Sequence, residues 1–530
     1  MTLTVHDALV LLAILAAAAS LLALAPKLHV PYPILLVLGG LGLAFVPELP
    51  TVALSPELVL VGVLPPLLYA SAYFTSLREF SENRRPISLL AVGLVLVTML
   101  AVAGGAHAFV GLDWAPAFVL GAIVSPTDPT AATAIARRLG VPRRVVVVIE
   151  GESLVNDGTA LVAYRYAVVA VAAGSFSLAH ATASFFGSVA GGIAMGLAVG
   201  WLVRQARRRI DDPPAEIAIA LLTGYFAYLP AEAAGVSGVL AAVTAGLYVG
   251  WFTPELTNSA VRLQGDAVWN IVVFCLNTLL FTLLGLQLRS VLDGVSQWSP
   301  ARLAWYGLAV GGTVILTRLV WIFPATYLPR LLLRRVRERD PSPPWQGPAA
   351  IGWAGMRGAV SLAAALAIPL TTDAGEPFPG RDLIVFLTFS VILVTLVFQG
   401  LTLPLVIRLL GLEDDGIDDR LEAKARIKAA DAALARLAEL VAEGWVREDT
   451  AERMRGAYTF RKDRFASRFD DGDDGAIEER SQSYQRLRRE LLEAERGKVV
   501  ELRRRGFIND DVMNRVQRDL DLEVERLDVR

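Results

Sequence analysis

Long apolar runs dominate the first 410 residues and restrict the fold more than any other feature. A helix needs about 20 apolar residues to cross the roughly 30 Å hydrocarbon core of a bilayer. Because lipid cannot hydrogen-bond to the backbone, runs of this kind predict transmembrane helices. The eighth and ninth runs, which are rich in Gly and Ala, are also compatible with a single hairpin. The thirteen runs cover roughly residues 6–25, 30–47, 52–74, 86–110, 115–137, 144–172, 178–203, 214–231, 235–253, 267–288, 302–328, 348–370 and 383–410.

The charged residues divide the chain near residue 412. The chain is 54% hydrophobic, yet 30 of its 52 acids and 25 of its 50 bases follow Leu412. We therefore predict a transmembrane domain over residues 1–411 and a charged, helical cytoplasmic tail over residues 412–530. Within the tail, an apolar stripe over 421–441 and the segments 484–500 and 512–527 predict three helices. The acidic loop 470–475 lacks the closing Glu of a calcium-binding EF-hand and indicates a solvated turn.

Loop charge predicts the orientation of the membrane domain. Eighteen Lys and Arg residues lie in or near the loops on one side, and three lie on the other. Positive residues concentrate on the cytoplasmic side of membrane proteins. The N-terminus is therefore expected outside, the tail inside, and the protein in a bacterial plasma membrane. The N-terminus lacks a basic region and is interpreted as a retained first helix, although its AAAAS segment is compatible with signal-peptide cleavage.

Four acidic residues lie inside the fifth and sixth apolar runs. A charge at the centre of a bilayer costs about 2.5–3.5 kcal/mol on insertion scales, so acids there indicate an ion or proton pathway. Asp128-Pro129 also breaks the fifth run, because Pro removes a backbone donor and disfavours helix at the residue before it. The twelfth run is interrupted by Gly-containing residues 352–358. Interruptions at matching places predict an inverted repeat with two broken, crossing helices and an ion site between them. The four acids are Asp128, Glu150, Glu152 and Asp157.

Three of the polar residues in the sixth run share one helix face. Asp157 follows Ser153 by four residues and Glu150 by seven, which places all three side chains on the same side. Oxygen ligands suit a hard cation, and a proton competes for the same lone pairs. Asp157 is therefore the predicted cation- and proton-binding residue, and Glu150 is predicted to lie at the cytoplasmic entrance.

The remaining intramembrane charges are expected to offset one another. Glu152 needs a buried cation, for which Arg318 in the eleventh run is the first candidate and Arg357 is the rival. A broken helix exposes unpaired N–H groups at one end and unpaired carbonyls at the other. Asp128 and Arg357 are expected to neutralise those ends. The break also frees the carbonyl of Thr127 as a cation ligand.

Several other classes of protein are not supported by the sequence. The chain has no phosphate-binding GxxxxGK[ST] motif, no GxSxG elbow and no TVGYG filter. Its four His residues have no metal-ligand spacing. We expect neither an enzyme nor a bound cofactor, and no nucleic-acid partner. The transported ions are expected to be H⁺ and Na⁺, with Li⁺ and K⁺ left open.

Five stretches resemble the monovalent cation:proton antiporter-1 family, the bacterial sodium/proton antiporters related to the animal exchangers. The fold that this resemblance implies is a homodimer of thirteen-helix protomers, each with a core that moves like an elevator against a dimerisation domain. The stretches are LPPLLYASAYFTSLREFSENRRPI at 64–87, SPTDPTAA at 125–132, EGESLVNDG at 150–158, TRLVWIFPATYLPR at 317–330 and GMRGAVSLAAALAIP at 355–369.

The resemblance also assigns roles by position. It implies a structural ion pair between Glu152 and Arg318 and helix-break charges at Asp128 and Arg357. It associates an Asn-Asp pair with electroneutral, one-for-one exchange, which agrees with a single titrating acid. The implied cation- and proton-binding residues are Asp157, Asn156, Ser153, Thr127 and Asp128.

One position departs from the family pattern. Many relatives have an acid in the third span, where this chain has Ala70 between Tyr69 and Ser71. Water or the hydroxyl of Ser71 is expected to replace it. The sequence therefore predicts an electroneutral Na⁺/H⁺ antiporter, and K⁺/H⁺ exchange, a cation channel and a transport-dead sensor remain alternatives. A regulatory ligand at the tail is left open, and membrane lipids are expected partners.

Overall fold

The computed structural model describes residues 20, 27, 30–46, 55–172, 178–210, 212–466 and 476–528. The chain forms two units, Met1–Glu413 and Asp414–Arg530. The described residues are helical throughout, apart from their turns and one isolated bridge between Thr371 and Pro377. The prediction of an all-helical membrane protein is confirmed.

The first unit contains sixteen helical segments within the described residues, numbered here in chain order. They are α1 (Tyr32–Ala44), α2 (Leu58–Tyr73), α3 (Leu77–Glu82), α4 (Arg84–Val110), α5 (Trp114–Ile123), α6 (Pro129–Arg138), α7 (Arg143–Ala172), α8 (Leu178–Arg207), α9 (Pro213–Ala233), α10 (Gly238–Leu256), α11 (Ser259–Gly294), α12 (Pro300–Leu332), α13 (Arg334–Arg339), α14 (Gln346–Trp353), α15 (Ala359–Leu366) and α16 (Arg381–Leu409).

The helices follow the predicted apolar runs closely. Seven of the described helices are long and apolar enough to cross a bilayer, and three shorter apolar helices accompany them. The eighth and ninth runs form two separate helices, α9 and α10, because the chain turns at Gly235 with φ +74°. The first run, 6–25, lies outside the described residues apart from residue 20, so the total of thirteen spans stays a prediction.

Both predicted interruptions are present, and they touch each other. The fifth run divides into α5 and α6, and the twelfth divides into α14 and α15. Asp128 begins α6 by accepting a hydrogen bond from the backbone N–H of Thr130 at 2.9 Å. Pro129 follows at the first helical position, where its missing donor costs nothing. The N–H of Asp128 donates to the carbonyl of Met356 at 2.8 Å, which joins the two breaks directly.

The helices around the breaks pack in two groups. In the first, α5 packs against α4 and α7, and α12 packs against α4, α14 and α16. In the second, α10 packs against α2, α8 and α9. The pair α1 and α11 packs closely, and an added Cβ at Gly40 or Gly285 would overlap backbone atoms of the other helix. The two groups meet where α7 contacts α2 and α10, and α7 carries several of the predicted site residues.

The described residues of the second unit form two helix pairs. The chain forms α17 (Ile417–Ala442), α18 (Glu448–Ala466), α19 (Ala476–Arg504) and α20 (Asp510–Asp528), in which α17 packs on α18 and α19 on α20. The predicted three helices omitted α18. Its sequence is strongly polar, and it buries only Ala451 and Phe465, so it carries almost no apolar periodicity. The predicted acidic loop 470–475 lies outside the described residues.

Candidate functional site

A cavity of about 520 Å³ lies beside the two breaks, bordered by α1, α2, α7 and α11. Glu150 lines the cavity about 10 Å along α7 from Asp157. It lies towards the end of the membrane unit where most of the loop arginines occur. The cavity therefore links the polar residues at depth to one face of the membrane unit. Four predicted site residues at depth line it, namely Thr127, Asp128, Ser153 and Asp157.

Asp157 has no partner for its charge among the residues that the structure describes. Its side chain is partly buried and faces the cavity. It makes neither a hydrogen bond nor an ion pair with any residue that the structure describes. A carboxylate in this position relies on water or on a bound cation or proton for its stabilisation. The geometry leaves Asp157 accessible to an ion from the cavity.

A short network of polar side chains lies next to Asp157. Asn156 donates from Nδ2 to Oγ1 of Thr127 at 2.8 Å, and Oγ1 of Thr127 lies 3.3 Å from Oγ of Ser153. Oδ1 of Asn156 is buried and accepts no hydrogen bond from the described part of the chain. The network brings three of the predicted site residues together. It also uses the side chain of Thr127, whereas the sequence pointed to its carbonyl.

Glu152 accepts hydrogen bonds on both of its carboxylate oxygens. Arg318 of α12 contacts both carboxylate oxygens, through Nη1 and through Nη2, the latter at 2.8 Å from Oε2. Arg318 also donates to the carbonyl of Ile351 at 3.0 and 3.2 Å, and Thr127 donates to Glu152 at 3.2 Å. Both charged side chains are at most 2% exposed. The contact predicted between Glu152 and Arg318 is present, and the rival pairing of Glu152 with Arg357 is not.

Arg357 serves the broken helices instead. Its Nη1 donates to the carbonyl of Ser125, just beyond the end of α5, where carbonyls lack helical partners. The adjoining Gly358 lies so close to Asp128 that an added Cβ would overlap that carboxylate. The acid and the base therefore lie at opposite ends of the interruption, as the helix-dipole argument predicts.

Side chains of α16 complete the second break. The N–H of Arg357 donates to Oγ1 of Thr395 at 3.1 Å, and Nε2 of Gln399 donates to the carbonyl of Trp353 at 3.0 Å. Arg357, Thr395 and Gln399 are buried, and Trp353 is partly buried. Thr395 and Gln399 lie on a π-helical segment, Val394–Gln399, a local widening that is frequent at functional sites. These two residues were missed, and their only sequence signal is a polar side chain in an apolar span.

The predicted entrance residue is paired. Glu150 accepts a hydrogen bond from Nη2 of Arg137 at 2.6 Å, and both side chains are partly exposed. Arg137 belongs to the last turn of α6, and both residues line the cavity. The pair joins the two elements that carry Asp128 and Asp157. An exposed pair of this type contributes little stability.

The third span lines the cavity without an acid. Ala70 and Ser71 face the cavity, whereas Tyr69 is fully buried between Tyr73 and Trp269. The hydroxyl of Ser71 is therefore available on the cavity wall, as the sequence suggested. No carboxylate from α2 is among the residues that line the cavity.

Amide side chains of α11 face Asp157's cavity and were not predicted. Asn270 and Asn277 both line it, as does Tyr32 at the start of α1. The two Asn residues are seven apart, which places them on one helix face. That spacing within an otherwise apolar run is a signal that the sequence carries.

Two crossed, broken helices beside a carboxylate-bearing cavity define the class of this protein: a polytopic helical membrane protein with the midplane architecture of ion-coupled transporters. The transmembrane model of the sodium/hydrogen exchanger family matches residues 10–409. The chain belongs to this family, which confirms the resemblance noted in its motifs.

Two relatives and one solved structure illustrate the relationship. An uncharacterized Na⁺/H⁺ exchanger of Mycobacterium tuberculosis is 38% identical over 99% of this chain and 96% of its own length. A sodium, potassium, lithium and rubidium/H⁺ antiporter of Bacillus pumilus is 34% identical over 75% of this chain and 60% of its own. The sodium proton antiporter MjNhaP1 of Methanocaldococcus jannaschii has the same fold, with a TM-score of 0.61 at 19% identity over 78% of this chain and 100% of its own.

Proposed function

We propose that this protein is an electroneutral Na⁺/H⁺ antiporter in which one cation and one proton bind in turn at Asp157. The observation that carries the proposal is the state of this carboxylate, which faces the cavity with no hydrogen bond or ion pair from a described residue. A buried charge without a fixed partner must acquire a mobile one. Sodium ions and protons are mobile partners that cannot occupy the same oxygens together.

The contacts of the other intramembrane acids support the proposed one-for-one stoichiometry. Glu152 is neutralised by Arg318. Asp128 caps α6 and contacts the second break. Asp157 is thus the acid whose charge changes during a cycle, and exchanging one Na⁺ for one H⁺ leaves the charge of the moving site unchanged. The hydroxyls of Thr127 and Ser153 supply further oxygen ligands beside it.

Alternating access is proposed to occur by an elevator-type motion of α7 and the two breaks against α2, α9 and α10. The contact between these two groups is mainly apolar, since Leu154 of α7 packs with Leu64, Tyr228 and Val239. This apolar character supports the proposal that the two groups slide against each other. Such contacts are non-directional and can be exchanged at low cost. Arg165 of α7 binds Glu232 of α9 across the same boundary, so this ion pair must separate or move during the cycle.

The setting proposed for this exchange is the bacterial plasma membrane, with the N-terminus outside, the tail in the cytoplasm and two protomers in a homodimer. The excess of arginine on one side supports the orientation. The cavity would then open to the cytoplasm, with Glu150 and Arg137 at its entrance.

K⁺/H⁺ exchange is the second candidate. Ala70 leaves the third span without a carboxylate, and a site with fewer charged ligands selects less strongly for the smaller ion. The name of the Bacillus relative includes potassium and rubidium.

Substitution of Asp157 by Asn tests the proposal. Full-length protein is reconstituted in proteoliposomes that contain a pH-sensitive dye, and Na⁺, Li⁺, K⁺ and Rb⁺ are added in turn at a clamped membrane potential. Wild-type protein should move protons on addition of Na⁺ without current, and Asp157→Asn should abolish this movement with little effect on thermal stability. Asp266→Asn, which neutralises an exposed acid of α11 outside the cavity, is the matched control.

Each alternative gives a distinct result. Undiminished Na⁺-driven proton movement in Asp157→Asn would rule out the assignment of the binding residue. Steady current in the wild type would indicate a channel. A response to K⁺ and Rb⁺ that exceeds the response to Na⁺ would assign K⁺/H⁺ exchange.

A further inference from the structure

The connection between α12 and α14 combines exposed leucines with a dense group of arginines. Arg302 and Arg330 lie near the two ends of α12, and 28 helical residues span about 42 Å. That length is close to the thickness of a bilayer including its headgroups. The residues that follow Arg330 therefore lie at the level of lipid headgroups. They comprise the last turn of α12, the short helix α13 and the turn to α14.

Three consecutive leucines begin this connection. Leu331, Leu332 and Leu333 are 75%, 69% and 56% exposed. Leu333 has extended backbone with φ −114° and ψ 104°, so the helix ends there and α13 is a separate element. Contiguous exposed leucines are unfavourable in water but favourable against acyl chains at a membrane interface. The side chain of Trp345, which is also exposed, is of the type enriched at that interface.

Arginines immediately follow the leucines. The sequence of α13 is RRVRER, in which Glu338 is the single acid and pairs with Arg334 at 2.8 Å. Arg335 and Arg337 are exposed and form no ion pair with a described residue. Groups of Lys or Arg next to a transmembrane helix attract anionic lipids, and an arginine fork binds phosphate through two hydrogen bonds.

The connection is anchored to the membrane unit at both ends. Asp340 binds Arg330 at 2.7 Å, Arg85 at 2.9 Å and Arg144 at 2.8 Å. Burial alone would raise the pKa of Asp340, but hydrogen bonding and charge from Arg144 and Arg330 hold it below its ordinary value. Asp340 is therefore ionised at neutral pH and ties the connection to α4, α7 and α12. Because the ends are fixed, the exposed side chains between them are presented at a defined place.

We propose that residues 331–337 bind an anionic phospholipid of the bilayer, whose phosphate contacts Arg335 and Arg337 and whose acyl chains contact the three leucines. The positive charges of the two arginines favour an anionic headgroup, and the exposed leucines favour a ligand that has acyl chains. An acidic peptide would match the arginines but would leave the leucines exposed. The inference concerns lipid binding alone and is independent of the transport reaction.

Lipid retention by the full-length protein tests this site. Purified protein is titrated with mixed detergent micelles that contain dioleoyl phosphatidylglycerol or dioleoyl phosphatidylcholine, and bound lipid is counted by mass spectrometry after gel filtration. Wild-type protein should prefer the anionic lipid. Neutralising two interfacial arginines, in Arg335→Gln/Arg337→Gln, should weaken this binding by about 30-fold.

The matched control is Arg208→Gln/Arg209→Gln, which removes two exposed arginines beyond the end of α8 and should retain the preference. Thermal unfolding of each variant reports whether it is folded. The proposal is overturned if the Arg335/Arg337 variant keeps the wild-type preference, if the control loses it equally, or if the wild type has none. Displacement of the lipid by glycerol 3-phosphate would also overturn it, because that result would indicate a site for free phosphate.

Discussion

Glu152 and Asp157 are two carboxylates on one helix, five residues apart, in different states. Glu152 receives a two-pronged contact from Arg318 and a hydrogen bond from Thr127, and it is almost completely buried. Asp157 has no such partner among the described residues and faces a cavity. Five residues of α-helix correspond to a rotation of about 140°, so the two side chains point to different surroundings.

This difference separates a structural charge from an exchangeable one. An acid whose oxygens are occupied by protein donors stabilises the packing but has no capacity left for an ion. An acid that faces a cavity can exchange a bound cation for a proton, but it contributes less to the stability of the fold. We therefore expect substitutions at the Glu152 pair to reduce stability more than substitution of Asp157 does. Substitution of Asp157 should instead have its main effect on transport.

Removal of Arg318 should have the greatest effect on stability. Arg318→Met leaves Glu152 buried without its cation, which costs about 3–5 kcal/mol when a buried pair is broken from one side. The double variant Glu152→Met/Arg318→Met removes both charges and should recover most of the loss. Thermal unfolding in detergent measures both. Equal melting temperatures for wild type and Arg318→Met would show that Glu152 does not depend on this partner.

A methyl group at Gly358 should have an intermediate effect. Gly358→Ala places a Cβ against the carboxylate of Asp128, and overpacking of this kind costs about 1–3 kcal/mol. Gly104→Ala in α4, where an added Cβ meets no atom within 4 Å, is the control and should be neutral or stabilising. The contact between the breaks would be unimportant if both variants unfolded at the same temperature.

Neutralisation of Asp340 should reduce the stability by a smaller amount, and this loss should not depend on pH near neutrality. Its pKa lies below the ordinary value, so its contribution is present at all pH values above about 4 and is lost only as acid protonates it. Asp340→Asn should cost about 1 kcal/mol, because the cluster is partly exposed. The deficit in melting temperature should be equal at about pH 6 and about pH 8. A deficit that disappears between these values would mean that another group titrates with it.

The sequence predicted much of this arrangement because its signals are local. Asp128-Pro129 and the glycines around Arg357 predicted both interruptions. Twelve of the thirteen predicted spans correspond to described helices or broken helix pairs. The buried charge of Glu152 required a cation, which reduced its partners to Arg318 and Arg357. The same reasoning did not identify Gln399, Thr395 or Asn277, because a single polar residue in an apolar run does not reveal which backbone group or cavity it will face.

The sequence alone determined the positions of the membrane helices, the places where they break and the identity of the intramembrane charges. Apolar length, proline geometry and the cost of a charge in lipid all act within a few residues. The pairing of those charges depended on packing between distant segments: Glu152 and Arg318 are 166 residues apart, and Arg357 reaches a carbonyl 232 residues away. Helix packing also left Asp157 facing a cavity. A side chain can bind only to groups within hydrogen-bond distance, and the packing of distant segments decides which groups those are.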